Sequence, residues 1–431
     1  MLFTRSLSSK RGVMKILHTA DWHLGKRLYK HDLRDDHELF LDWLATLVDE
    51  RDIDVLLISG DVFDTTNPND GSMSLYYKFL TRMLPLGRRL IITGGNHDSA
   101  SKLNAPRELL RHLNIHVVGC TTNNFSDEVI RLATGSTDLL VAAVPYLRDA
   151  DLRQSVSGQS FDERIEAVRT GIRNHYERIV DYCCQDYKDV PRLAMGHLYV
   201  NGATISESER EIHSVGGQAA FSSEHFPAGF DYVALGHIHV PQTIGNHQTI
   251  RYSGSPIPLS FGERDNRHQL LELTVDNGQL VNVESVPVPR FRTLRHVGGT
   301  MDEVREALEN LCSPEDTLSM LVEVLVEEEN ESLSVRKHFE QLQRDYAQAT
   351  FQIAKTRLVF RNKLKGLDSL YIADTVLQDL TYLDVFGRRL DASLVEGDDR
   401  VTLVETYKKL YKLVTEQAAP LLHENSTNTL S

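Results

Sequence analysis

From residue 14 to about residue 119, short apolar runs alternate with stretches in which apolar residues recur every three or four positions, and the unit repeats three times. Residues 15–18 predict a strand. Leu39, Phe40, Trp43, Leu44, Leu47 and Val48 then fall on one face of a helix. Residues 53–58 predict a second strand, 73–84 a helix, 90–92 a third strand, 103–113 a helix and 116–118 a fourth strand. Such alternation predicts a parallel or mixed sheet covered by helices. Downstream, the pattern predicts strands over 139–144, 192–195 and 232–235, a long helix over 161–184, and a β-rich stretch over 250–288. Pro287 and Pro289 mark a boundary, since two prolines so close together interrupt regular structure. Beyond it, helices over 301–311 and 333–346 alternate with strands over 318–326 and 356–360. The acidic run Glu327, Glu328, Glu329 reads as a solvated loop. Near the end, Leu403, Val404, Tyr407, Leu410, Tyr411 and Val414 form one apolar helical stripe after a polar stretch, 396–400, that reads as a linker.

A chain of 431 residues is longer than one core usually fills, so several domains are expected. The divisions suggested are a main domain over 14–289, a smaller α+β domain over 290–375 and a helical tail over 376–431. Residues 1–13, with Arg5, Lys10 and Arg11 and no acid, are expected to be a disordered extension, with Met14 serving as a natural start. No apolar run approaches the roughly 20 residues that cross a bilayer, so no membrane span is expected. The four cysteines lack CxxC spacing, which suits a reducing compartment, and a cytoplasmic location is expected. A net charge of -14 excludes a generally basic nucleic-acid coat and confines any DNA contact to local patches.

Five polar segments follow apolar strands: Asp21-Trp22-His23, Gly60-Asp61-Val62-Phe63-Asp64, Gly95-Asn96-His97-Asp98, Gly196-His197 and Gly236-His237-Ile238-His239. Open α/β sheets bind ligands at such strand ends. Alone, each segment is more simply a helix cap or a turn. Five in succession are not explained by turn chemistry. Carboxylate, imidazole and amide donors without thiolate suit Mn²⁺, Mg²⁺ or iron better than structural zinc. After the first segment, Lys26, Arg27, Tyr29, Lys30, His31 and Arg34 form a basic loop placed to grip a phosphate backbone beside the metals, a solvated helix start being the simpler alternative. A second basic cluster comprises Lys355, Arg357, Arg361, Lys363 and Lys365. No GxxxxGK[ST] segment occurs, so this chain is expected to bind no nucleotide itself.

The ordered set resembles the calcineurin-like metallophosphoesterase signature. At closer range MKILHTADWHLG, LLISGDVFDTTNP, TGGNHDS, VALGHIHVPQ and YSGSPIPLSFGE resemble the SbcD family, the nuclease subunits of bacterial SbcCD complexes. The likeness covers residues 14 to about 290, and the remainder more loosely. It implies an α/β fold: a metallophosphoesterase β-sandwich flanked by helices, with an α+β capping domain that steers DNA and a C-terminal helical tail that docks on the partner. It implies two divalent ions, Mn²⁺ or Mg²⁺, one held by Asp21, His23, Asp61 and His239, the other by Asp61, Asn96, His197 and His237. His97 would stand beside the scissile phosphate with Asp98 orienting it, and Lys26, Arg27, Lys30 and Arg34 would contact DNA. Asp64 departs from relatives that carry a histidine there, and reads as a cap for the turn over 65–68. The implied partner is the SbcC ATPase, two copies of each subunit with a homodimer of the nuclease domain. The implied activity is ATP-dependent 3′–5′ double-strand exonuclease and single-strand or hairpin endonuclease, in DNA replication, recombination and repair. A phosphatase or cyclic nucleotide phosphodiesterase using the same metals is the alternative, because the ligands alone do not choose among phosphate esters.

Overall fold

The computed structural model describes residues 12–122, 124–134, 137–152, 160–187, 190–206, 221–245, 247–312, 316–362, 382–392, 395 and 397–424. All of the expected extension except its last two residues lies outside them. Two compact units are present, one over 1–295 with 313–323 and 350–354, the other over the remaining residues.

The first unit is a sandwich of two six-stranded sheets, with strands numbered in chain order. One sheet runs β14 (Gln279–Pro287), β13 (Gln269–Asp276), β1 (Val13–Thr19), β4 (Val55–Ser59), β5 (Arg89–Thr93) and β6 (Ile115–Val118). The other runs β11 (Gln242–Ile244), β12 (His247–Tyr252), β10 (Tyr232–Gly236), β9 (Arg192–His197), β8 (Thr137–Ala143) and β7 (Val129–Thr134). Strands β1, β4, β5 and β6 are parallel neighbours, as are β8, β9, β10 and β12. Their near-continuous apolar sequence follows from burial on both faces. Met14, Ile16, Val55, Leu57 and Ile91 pack against Leu139, Val141, Leu193, Met195 and Tyr232 between the sheets. The alternate residues Leu17, Leu56, Ile58 and Ile92 lie under Phe40, Leu44 and Phe79 of helices Arg34–Glu50 and Asp70–Met83. The second sheet is covered by helix Phe161–Asp186 through Ile172, Tyr176 and Ile179. The expected metallophosphoesterase sandwich flanked by helices is the observed one.

Three local expectations need correcting. Residues 103–113 form two short helices, Ala100–Asn104 and Arg107–Arg111, because Pro106 between them has no amide to continue the ladder. The acidic run at 327–329 belongs to β16 (Met320–Asn330). This is the middle strand of a sheet with β15 (Leu294–Gly299) and β17 (Phe351–Asn362), where neighbours on both sides hold the backbone extended. Its charges are also used: Glu328 Oε1 accepts from the Met301 amide at 2.9 Å and Glu327 lies 3.5 Å from Arg361. In the tail, residues 397–400 are the first turn of helix Gly397–Glu424 rather than a linker, and Asp399 there complements the helix dipole. That helix pairs with Tyr382–Ala392, Phe386 stacking on Tyr407 with ring centres 4.0 Å apart and Asp391 meeting Arg400 at 2.7 Å. Part of the apolar stripe is thus covered, while Leu410 and Tyr411 stay exposed. Lys363 and Lys365 lie outside the described residues. Among those residues no helix is long and apolar enough to cross a membrane.

Candidate metal centre

Each of the five polar segments sits at the C-terminal end of a strand, and the loops are laced together by their backbones. After β1, the amides of Asp21, His23 and Leu24 donate to the carbonyls of Gly60, Asp61 and Val62 after β4, at 3.1, 2.9 and 2.9 Å. Trp22, fully buried, packs edge-on against Phe40 and Phe79 and donates to Thr19 Oγ1 at 3.0 Å. Its neighbours Asp21 and His23 are buried as well. Asp21, His23, Asp61 and His237 all have positive φ, 54°, 48°, 49° and 98°. Residues other than glycine rarely adopt this region unless the surroundings enforce it. Gly95 makes close approach possible, since a Cβ there would collide with the carboxylate and amide of Asp61.

Asp61 lies at the middle of the group. Its Oδ2 is 3.3 Å from His197 Nε2 and 3.5 Å from His23 Nε2, and its Oδ1 accepts from the His97 amide at 2.8 Å. Asn96 Oδ1 is 3.0 Å from both His197 Nε2 and His237 Nδ1. Asp21 Oδ1 accepts from the His237 amide at 2.8 Å, which ties the loop after β1 to the loop after β10. Asp21, His23 and His239 form one group able to hold a cation, Asp21, Asp61 and His197 a second, and His23, Asp61 and His97 a third.

The electrostatics of the group are set by burial working against mutual attraction. Burial pushes the Asp21 carboxyl up to about 7, only partly offset by His197 and His239. Burial likewise pulls His23 down to about 4, leaving a neutral imidazole. At Asp61 burial is outweighed by His197, His23 and His97, which hold its carboxyl well below the carboxylate range. At His197 it is outweighed by Asp61, which raises the imidazole to about 9. Asp21 Oδ2 and His23 Nε2 are buried without a hydrogen-bond partner among the described residues. Such orphaned atoms are costly unless an ion meets them. The donor set therefore fits divalent cations.

Two neighbours differ from expectation. Asp98 does not orient His97: its oxygens accept from the amides of Val62, Phe63 and Gly95 at 3.1, 2.9 and 2.9 Å, bracing two loops. The His97 ring is instead held through Nδ1 to the Asp64 carbonyl at 2.8 Å. The Asp64 carboxylate does not cap its turn but meets His23 Nδ1 at 3.2 Å and Lys26 Nζ at 3.0 Å. Lys26 is thereby attached to the centre. Arg27 turns to the Lys30 carbonyl within the small β2–β3 hairpin (Arg27–Leu28 and His31–Asp32), Lys30 is exposed, and Arg34 opens the first helix. Sequence reasoning missed Glu263, a buried carboxylate 3.0 Å from His239 Nδ1. The segment YSGSPIPLSFGE, noted above for its resemblance, ends on this residue and is the signal that could have found it.

Residues 14–241 match the family model described as calcineurin-like phosphoesterase, and residues 290–393 the model described as type 5 capsule protein repressor C-terminal domain. Fold and match together define a phosphoesterase of that class. Among curated proteins, the chain is similar to the SbcD component of nuclease SbcCD from Escherichia coli, 31% identical with 88% of this chain and 92% of the relative covered. It is also similar to the SbcD proteins of Bacillus subtilis, 37% identical over 58% and 63% of the two chains, and Rhodobacter capsulatus, 33% identical over 70% and 77%. The chain belongs to the calcineurin-like phosphoesterases and, within them, to the SbcD nuclease subunits.

Proposed function

We propose that the chain hydrolyses the phosphodiester backbone of DNA as the nuclease subunit of an SbcCD complex, with two Mn²⁺ ions held by Asp21, His23, Asp61 and His239 and by Asp61, Asn96, His197 and His237. The placing of one buried carboxylate, Asp61, within 3.5 Å of imidazoles from both ligand sets carries this reading. A shared carboxylate is what two adjacent cations need. When bound, such ions supply Lewis acidity and a water acidified enough to attack phosphorus. The chain's own residues do the rest. The Asp64 carbonyl accepts from His97 Nδ1, so it is from Nε2 that the doubly protonated ring would hand a proton to the leaving oxygen, returning to the neutral tautomer with its proton on Nδ1. Asp98 keeps the loops carrying Asp61 and His97 in register. Lys26, Arg27, Lys30 and Arg34 would contact phosphates without reading bases, giving sequence-independent cutting. Lys355, Arg357 and Arg361 on β17 would steer DNA from a capping domain.

The C-terminal helix pair would dock on SbcC, in an assembly of two copies of each subunit joined by a nuclease-domain homodimer. SbcC would supply the motor, and the complex would act in the cytoplasm. Purified protein with Mn²⁺ is expected to cut single-stranded DNA far faster than a generic phosphomonoester. Asp61→Ala should abolish cutting with the fold retained by circular dichroism. Equal cutting by that variant, or preference for the monoester, would sink the assignment.

A further inference from the structure

The two cation positions proposed above are not backed alike. His239 Nδ1 meets Glu263 Oε1 at 3.0 Å, and Glu263 is fully buried. That carboxylate is immobilised from several sides: Oε2 accepts from the Leu259 amide at 2.9 Å and Ser255 Oγ at 3.2 Å, and Oε1 also accepts from Ser260 Oγ at 3.1 Å. His23 Nδ1 meets Asp64 Oδ1 at 3.2 Å. At the other position His197 is backed by a neutral oxygen, its Nδ1 lying 2.9 Å from the Ser59 carbonyl, while His237 Nδ1 lies 3.0 Å from the side-chain oxygen of Asn96, its fellow ligand.

A carboxylate behind an imidazole fixes the proton on the ring nitrogen it touches, leaves the other nitrogen as the lone-pair donor and makes it more basic. The ligands themselves reinforce the difference, since Asp21 brings a charge to the first set where Asn96 brings none to the second. We infer that Glu263 and Asp64 are positioning residues that make the site of Asp21, His23 and His239 the tighter of the two cation sites, an inference that rests on the two-cation reading. Lys26 offsets part of the charge of Asp64, so the larger effect falls on Glu263.

Filling is then sequential. The tight site is occupied at low metal concentration, and cutting begins only as the weaker site, around Asn96 and His197, fills. The cation level sensed by the nuclease is set by the second site.

Calorimetric titration of the metal-free full chain with Mn²⁺ tests this directly. The wild type should show two classes of site, and His197→Ala should lose only the weaker. Glu263→Gln should weaken the tight class by about 10- to 100-fold and leave the weaker class unchanged. Asp64→Asn, at a partly exposed position that tolerates change more readily, should act in the same direction but less. Melting curves of the metal-free variants separate lost affinity from lost fold. Two classes of equal affinity in the wild type would overturn the inference while leaving the nuclease assignment standing. So would an unchanged tight class in the Glu263→Gln and Asp64→Asn proteins. A wild type that binds no Mn²⁺ would instead remove the two-cation reading, and the inference with it.

Discussion

Asp21, His23, Asp61 and His237 are each held at positive φ, a conformation that costs on the order of 1–3 kcal/mol per residue and persists only where packing over-determines it. The enforcement is local: the buried Trp22 indole on one side, and the amide-to-carbonyl ladder between the loops after β1 and β4 on the other. At this scale the sequence showed which residue types gather but not which touches which. Asp98 follows His97 directly, yet its carboxylate turns away to three amides, and the carbonyl of Asp64 takes the imidazole. Adjacency in the chain does not set side-chain direction. His97 also lies close enough to His23 and Asp61 to be taken for a ligand. His97→Ala is expected to keep full Mn²⁺ stoichiometry while turnover falls by about two orders of magnitude or more, the usual scale for a positioned acid or charge stabiliser. Loss of a bound ion in step with activity, read by calorimetry beside a cleavage assay, would make His97 a ligand instead.

The elements were legible wherever burial was two-sided. Strand β4 reads as five residues, four of them apolar, because one face meets the second sheet and the other meets helices. Legibility failed where a tertiary neighbour overrode local polarity. Glutamates 327–329 look like a loop until strands on both sides of β16 and the amide of Met301 are supplied. The polar residues 397–400 look like a linker until they are seen as a helix start. The break at Pro106, by contrast, could have been read from the missing amide alone. Turn chemistry also predicts an experiment. Gly95→Ala places a methyl against the Asp61 carboxylate, with Cγ only 2.7 Å away. The expected result is loss of Mn²⁺-dependent cutting by at least about 100-fold, with overall stability reduced by no more than about 1–3 kcal/mol, the scale of overpacking at one site. Wild-type activity in Gly95→Ala would show that the close approach of these loops is not required.

On the scale of the whole chain, the tail and the centre are separable. Removing residues 382–431 deletes the helix pair joined by Phe386 and Tyr407 together with the exposed Leu410 and Tyr411. The truncated protein is expected to keep Mn²⁺-dependent cutting of single-stranded DNA and to lose co-purification with SbcC, and retention at full strength would place the contact elsewhere. The centre itself draws its proposed ligands from both halves of the sandwich: Asp21, His23, Asp61 and Asn96 follow strands of one sheet, while in the other His197 ends a strand and His237 and His239 follow one. A cation there is therefore a rivet as well as a reagent, fastening two layers otherwise joined at that rim by bonds such as Ser59 Oγ to the Ala234 carbonyl. Because the unfolded chain scatters these ligands, saturation at a hundred times the dissociation constant should add about 2.7 kcal/mol to stability. Chelation should accordingly lower the melting temperature of the wild type but leave that of Asp61→Ala almost unmoved. The strand ends on that rim would then open first, making metal starvation an unlocking of the enzyme as much as a loss of its chemistry.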